Sequence, residues 1–67
     1  MNNIVSERTR LGMCQEELAR KLGVSKSTVS RWERGKQQPC GSDLIAMKEL
    51  FKCTTDYLLG LTDERKA

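Results

Sequence analysis

One stretch constrains this chain more than any other: QEELARKLGVSKSTVSRWE, residues 15–33. Leu18, Ala19 and Leu22 fall at i, i+1 and i+4, which places them on one face of a helix. Gly23 follows, and glycine accepts the left-handed backbone that ends a helix without steric cost. Val24 returns an apolar group to the interior, and Ser25 offers an oxygen to cap a second helix. In that helix, predicted over residues 26–34, Val29 and Trp32 face inward, three residues apart. The small Ala19 lets two steeply crossed helices approach closely. The remaining sequence must complete a core around this pair.

With Val29 and Trp32 inside, a turn of about 100° per residue sends Ser27, Ser30, Arg31 and Arg34 outward, with Lys26 at the edge. This face carries short hydrogen-bonding side chains among cations and no acid. Such a mixture suits the reading of base edges between phosphate contacts. Charge distribution points the same way. Residues 20–38 hold six cations (Arg20, Lys21, Lys26, Arg31, Arg34, Lys36) against one acid, Glu33, a net +5. Since the whole chain is +3, the remainder is −2. A solvated basic face would explain the charge alone; its coincidence with the outward face favours a nucleic-acid footprint.

The stretch resembles the helix-turn-helix of the Cro/repressor family, of the xenobiotic-response-element type. The matching residues are Gln15, Glu17, Leu18, Ala19, Leu22, Gly23, Val24, Ser25, Val29, Ser30, Trp32, Glu33 and Gly35. The likeness extends to Leu11-Gly12, to Pro39 and to Asp56-Tyr57-Leu58-Leu59-Gly60, so it covers about residues 4–60. It implies an all-α, five-helix, lambda-repressor-like DNA-binding domain whose helices 2 and 3 form the motif. It further implies that Gln15 touches the DNA backbone and supports helix 3, and that Arg8 of helix 1 pairs with Glu33 in a partly buried ion pair. Two departures concern caps: Cys14 and Cys40 stand where the family has capping Ser, Thr or Asn. Lys52 and Cys53 replace a frequent Gly and Val.

The flanking sequence supplies the other helices. Residues 4–11 read as helix 1, capped by Asn2 or Asn3, with Ile4, Val5 and Leu11 available to the core and Arg8 on an adjoining stripe. Gly12 ends it, and Met13 is expected under the following turn. Helix 4 follows Pro39; either Cys40 or Ser42 caps it, and Leu44, Ile45, Met47, Leu50 and Phe51 form its apolar stripe. Cys53 is expected in the core. Thr54 caps a short helix over residues 55–59, ended by Gly60, with Leu58 inside. Residues 61–67 read as a charged tail without strong structure. The chain is thus read as one domain, 1–67, with its core at about 4–60.

Several classes are disfavoured. There is no histidine, no Gly-rich phosphate loop and no CxxC pair among the three cysteines, so neither an enzyme nor a metal or cofactor site is expected. Ser25 and Lys26 are adjacent on a helix start and do not face each other. Unpaired cysteines and no apolar run of about 20 residues suggest a cytoplasmic, nucleoid-associated protein.

The resulting expectation is a sequence-specific regulator of transcription, a phage or bacterial repressor, with helix 3 in the major groove of duplex DNA. Base contacts are expected from Lys26, Ser27 and Arg31, with Thr28 and Ser30 as partners. Phosphate contacts are expected from Gln15, Arg34, Lys36 and Gln38. A weak homodimer stabilised on a pseudo-palindromic operator is expected, with Leu59 and Leu61 at the two-fold contact. The alternatives are an antitoxin or restriction-modification controller with the same binding mode, or a protein-interaction module without a DNA role.

Overall fold

The computed structural model describes residues 2–66 and contains five helices: α1 (Ile4–Arg10), α2 (Gln15–Leu22), α3 (Lys26–Glu33), α4 (Gly41–Phe51) and α5 (Thr55–Leu58). The expected all-α architecture and the helix-turn-helix at α2–α3 are therefore present. One core joins the helices. Ile4, Leu18, Val29, Met47, Phe51 and Leu58 are fully buried, and Trp32 is nearly so. Met13, Ala19 and Cys53 complete it, with Leu22, Val24, Leu44, Leu50 and Tyr57 packed around the edge.

The turn between α2 and α3 follows the sequence closely. Gly23 takes φ +70°, and the Val24 amide donates to the Ala19 carbonyl at 3.0 Å. Ser25 Oγ accepts from the Thr28 amide at 3.1 Å, satisfying one of the free donors at the start of α3. Thr54 caps α5 in the same way through the Tyr57 amide, also at 3.1 Å.

The two cysteine caps are weaker. The Cys14 sulfur faces the Glu17 amide in a capping box but is a weak acceptor, and Cys40 makes no side-chain cap bond. At α2, Glu17 reaches back to accept from the Cys14 amide at 3.2 Å, and that bond holds its carboxyl below the ordinary range. At α4, the Cys40 thiol donates to Asp43 Oδ2 at 3.1 Å. Cys40 is the cap residue, so helix α4 begins at Gly41, and Ser42 lies inside it.

Three apolar expectations are corrected. Val5, Leu11 and Ile45 are exposed. Val5 sits one step, about 100°, from the buried Ile4, and Ile45 stands likewise to Leu44. Leu11 follows the last residue of α1 as its cap, and Met13 takes the interior place instead. Three helix ends also move by one residue: α1 stops at Arg10, α3 at Glu33 and α5 at Leu58.

Residues 61–66 form no regular element but are tied to the domain. The Thr54 amide donates to the Arg65 carbonyl at 2.9 Å, and the Arg65 guanidinium reaches Glu7 on α1 and the Phe51 carbonyl at the end of α4. Glu7 is buried, which its position in the first turn of α1 did not predict. Lys52, at the turn after α4, has φ +56°, a left-handed backbone that favours glycine.

Candidate nucleic-acid interface

Helix α3 is mounted on α1 and α2 by its last residue. Arg8 Nε donates to Glu33 Oε2 at 2.6 Å and Arg8 Nη2 to Glu33 Oε1 at 3.2 Å. The Gln15 side-chain amide donates to the same Oε1 at 2.8 Å. Arg8 Nη1 donates to the Met13 carbonyl at 2.9 Å, which ties the α1–α2 connection into the cluster. The Glu33 hydrogen bond holds the Arg8 guanidinium even more firmly protonated than usual. One carboxylate at the end of α3 thus collects donors from α1 and the first residue of α2. Core packing of Val29 and Trp32 fixes the rotation of α3 about its axis.

With its inner face so held, α3 presents a fixed outer one. Lys26, Ser27 and Arg34 are exposed, and Thr28, Ser30 and Arg31 are half-buried. Lys36 and Gln38 in the following loop are exposed as well. That loop is drawn alongside α3: the amides of Lys36 and Gln37 both donate to the Arg31 carbonyl, at 2.9 and 3.3 Å. Arg34 Nε lies 3.4 Å from the Ser30 carbonyl, so its guanidinium lies back along the helix. Lys26, Ser27, Thr28, Ser30, Arg31, Arg34, Lys36 and Gln38 are therefore carried by one helix and the loop hydrogen-bonded to it. Gln15 joins them through Glu33, at the far end of α3 from Lys26.

Arg31 is not free. Its Nε donates to Gln37 Oε1 at 2.8 Å and its Nη2 to Thr28 Oγ1 at 3.2 Å. Thr28 Oγ1 in turn lies 2.9 Å from Ser25 Oγ, which lies 3.0 Å from Ser27 Oγ. Sequence reasoning missed Gln37. Its only signal is a place in the polar loop beside the end of α3.

Leu59 and Leu61 belong to another part of the surface. Leu59 is half-buried after α5, and Leu61 is exposed. Cys53 is in the core, where burial raises its thiol and keeps it protonated, while Cys14 and Cys40 are exposed. No helix among the described residues is long and apolar enough to cross a membrane.

A family described as Helix-turn-helix matches residues 4–58. Repressor protein C2 of Salmonella phage P22 is 38% identical over 56 residues, which is 84% of this chain and 26% of that protein. The HTH-type transcriptional regulator DicA of Escherichia coli is 36% identical over 52 residues, 78% of this chain and 38% of that protein. This chain therefore spans well under half the length of these two relatives. Among solved structures, the P22 c2 repressor protein in complex with a synthetic operator superimposes with a TM-score of 0.79. It is 37% identical, over 85% of this chain and 86% of that one.

Proposed function

This chain belongs to the Cro/repressor-type helix-turn-helix family, and we propose that it is a sequence-specific duplex-DNA-binding regulator of transcription that acts as a repressor. The observation that carries the reading is the outer face of α3. Its side chains are cations and hydrogen-bonding groups without an acid, on a helix whose rotation and tilt are locked by the core and by Glu33. A rigid helix with such a face suits the major groove, where base edges offer hydrogen-bonding patterns unique to each base pair. Lys26, Ser27 and Arg31 read bases, with Thr28 and Ser30 in support. Gln15, Arg34, Lys36 and Gln38 meet phosphates, aided by the amides at the start of α2. Two protomers bind a pseudo-palindrome, with half-sites about one helical turn apart. Their contact through Leu59 and Leu61 is small, so DNA supplies much of the assembly free energy. Such a protein works in the cytoplasm, at the nucleoid.

Affinity for random-sequence duplexes at two salt concentrations tests the reading. A protein neutralising several phosphates loses affinity steeply as salt rises. Absent or salt-insensitive binding would favour a protein-interaction module instead.

A further inference from the structure

We propose that Gln37, in the loop after α3, is a positioning residue that sets the base preference of Arg31; the proposal rests on the DNA-binding reading above. A guanidinium has five N–H donors and no acceptor. Here one edge is already committed. Nε is spent on Gln37 Oε1 at 2.8 Å, and one Nη2 hydrogen on Thr28 Oγ1 at 3.2 Å. The Gln37 amide must present its oxygen, because two donors cannot bond each other. Three N–H groups remain, two on Nη1 and one on Nη2. The outer end of the guanidinium therefore keeps two parallel donors, the fork that matches N7 and O6 of guanine.

The support for this fork comes from both sides. Gln37 is itself braced, since its backbone amide and that of Lys36 bond the Arg31 carbonyl. Thr28 is braced through Ser25, the cap of α3, which also bonds Ser27. Two hydrogen bonds link these three hydroxyls, so one hydroxyl hydrogen is left over. Ser25 already accepts from the Thr28 amide, so its own hydrogen goes to Thr28 or to Ser27. The spare hydrogen then sits on Ser27 or Thr28. The outer face becomes a row of donors, with Lys26 at one end and Arg31 at the other. It is matched to acceptor-rich base edges. Without Gln37, Arg31 keeps its charge but regains rotamers and an unspent Nε, so it can bond phosphates or several bases in turn.

The test uses the full chain and duplexes selected by the wild type from a random pool. Arg31→Ala first identifies the base pair at which preference is lost. Gln37→Met then keeps the side-chain length and removes the acceptor. Discrimination at that same base pair should fall about tenfold, while preferences at other positions persist. Gln37→Glu, whose carboxylate accepts from the same Nε, should retain the discrimination. Wild-type discrimination in Gln37→Met, or a uniform weakening at all positions, would overturn the proposal. If the wild type itself selects no sequence, the DNA-binding reading fails, and the inference fails with it.

Discussion

Glu7 and Arg8 are neighbours on α1, yet they face two different regions of the molecule. Arg8 meets Glu33 at the end of α3, and both side chains are largely buried, at 14% and 6% exposure. Glu7 meets Arg65 of the tail and Arg10 of its own helix, and here the acid is buried at 2% while the cations are 31% and 44% exposed. Both of those guanidiniums also donate to the Phe51 carbonyl at the end of α4, at 2.7 and 3.0 Å, and the Tyr57 hydroxyl donates to Glu7 at 3.3 Å. The first cluster is a single ion pair, with the neutral Gln15 amide as a third member, that mounts the outer face of α3. The second is a shared acid that latches the tail and α5 to α1. The difference lies in what remains when one member goes. A buried charge without its partner is costly, whereas a half-exposed cation turns to water.

The largest effect is therefore expected at the mount. Arg8→Ala leaves Glu33 buried with only Gln15, and should cost about 3–5 kcal/mol in denaturant unfolding. The double variant with Glu33→Ala should lose less than the sum of the two single changes. Additive losses would mean that the pair is uncoupled and the comparison wrong.

At the latch, Glu7→Gln should cost about 2 kcal/mol at neutral pH, the scale of hydrogen bonds to a charged acceptor. The Arg65 hydrogen bond lowers the Glu7 carboxyl against the opposing effect of burial, and Arg10 adds to the lowering. A lowered folded-state pKa gives stability above the unfolded value that is lost as pH falls through the folded one. The gap in stability between wild type and Glu7→Gln should thus narrow as pH falls below the ordinary carboxyl value of about 4.5. A gap independent of pH would show that Glu7 acts by shape and not by charge.

Two smaller effects sharpen the contrast. Lys52 holds φ +56° beside the latch, so Lys52→Gly should stabilise the fold by about 1 kcal/mol. A lower melting temperature would mean that the lysine side chain outweighs the strain. Leu61 is 72% exposed, so Leu61→Asp should change folding by less than about 0.5 kcal/mol. It should nevertheless reduce cooperativity on a full operator; unchanged cooperativity would move the two-fold contact elsewhere.

These two regions also differ in how much of them the sequence disclosed. The helix pair, the caps at Ser25 and Thr54, and the burial of Trp32 and Leu58 follow from periodicity and capping chemistry. The Arg8–Glu33 contact was implied by resemblance, not by spacing. The latch was not legible. Nothing in the sequence marks Glu7 for burial, and Arg65 reads as part of the charged tail. Their meeting depends on how the chain returns past α4, a tertiary event 58 positions apart in sequence. Val5 and Ile45 failed for the opposite reason: both are good apolar candidates, and one step of helical rotation decides the side. Gln37 needed the loop path, which the polar loop sequence does not fix.

The proposed function assigns DNA reading to the α3 face and leaves the latch only to hold the fold. Binding of Arg31→Ala and Arg65→Ala to the wild-type selected duplex and its single-base-pair variants, measured where both proteins are folded, tests it most directly. Arg31→Ala should lose about 1–3 kcal/mol of discrimination at one base pair, and Arg65→Ala should retain the wild-type pattern. Equal weakening of Arg31→Ala on every sequence, or a changed base preference in Arg65→Ala, would contradict it.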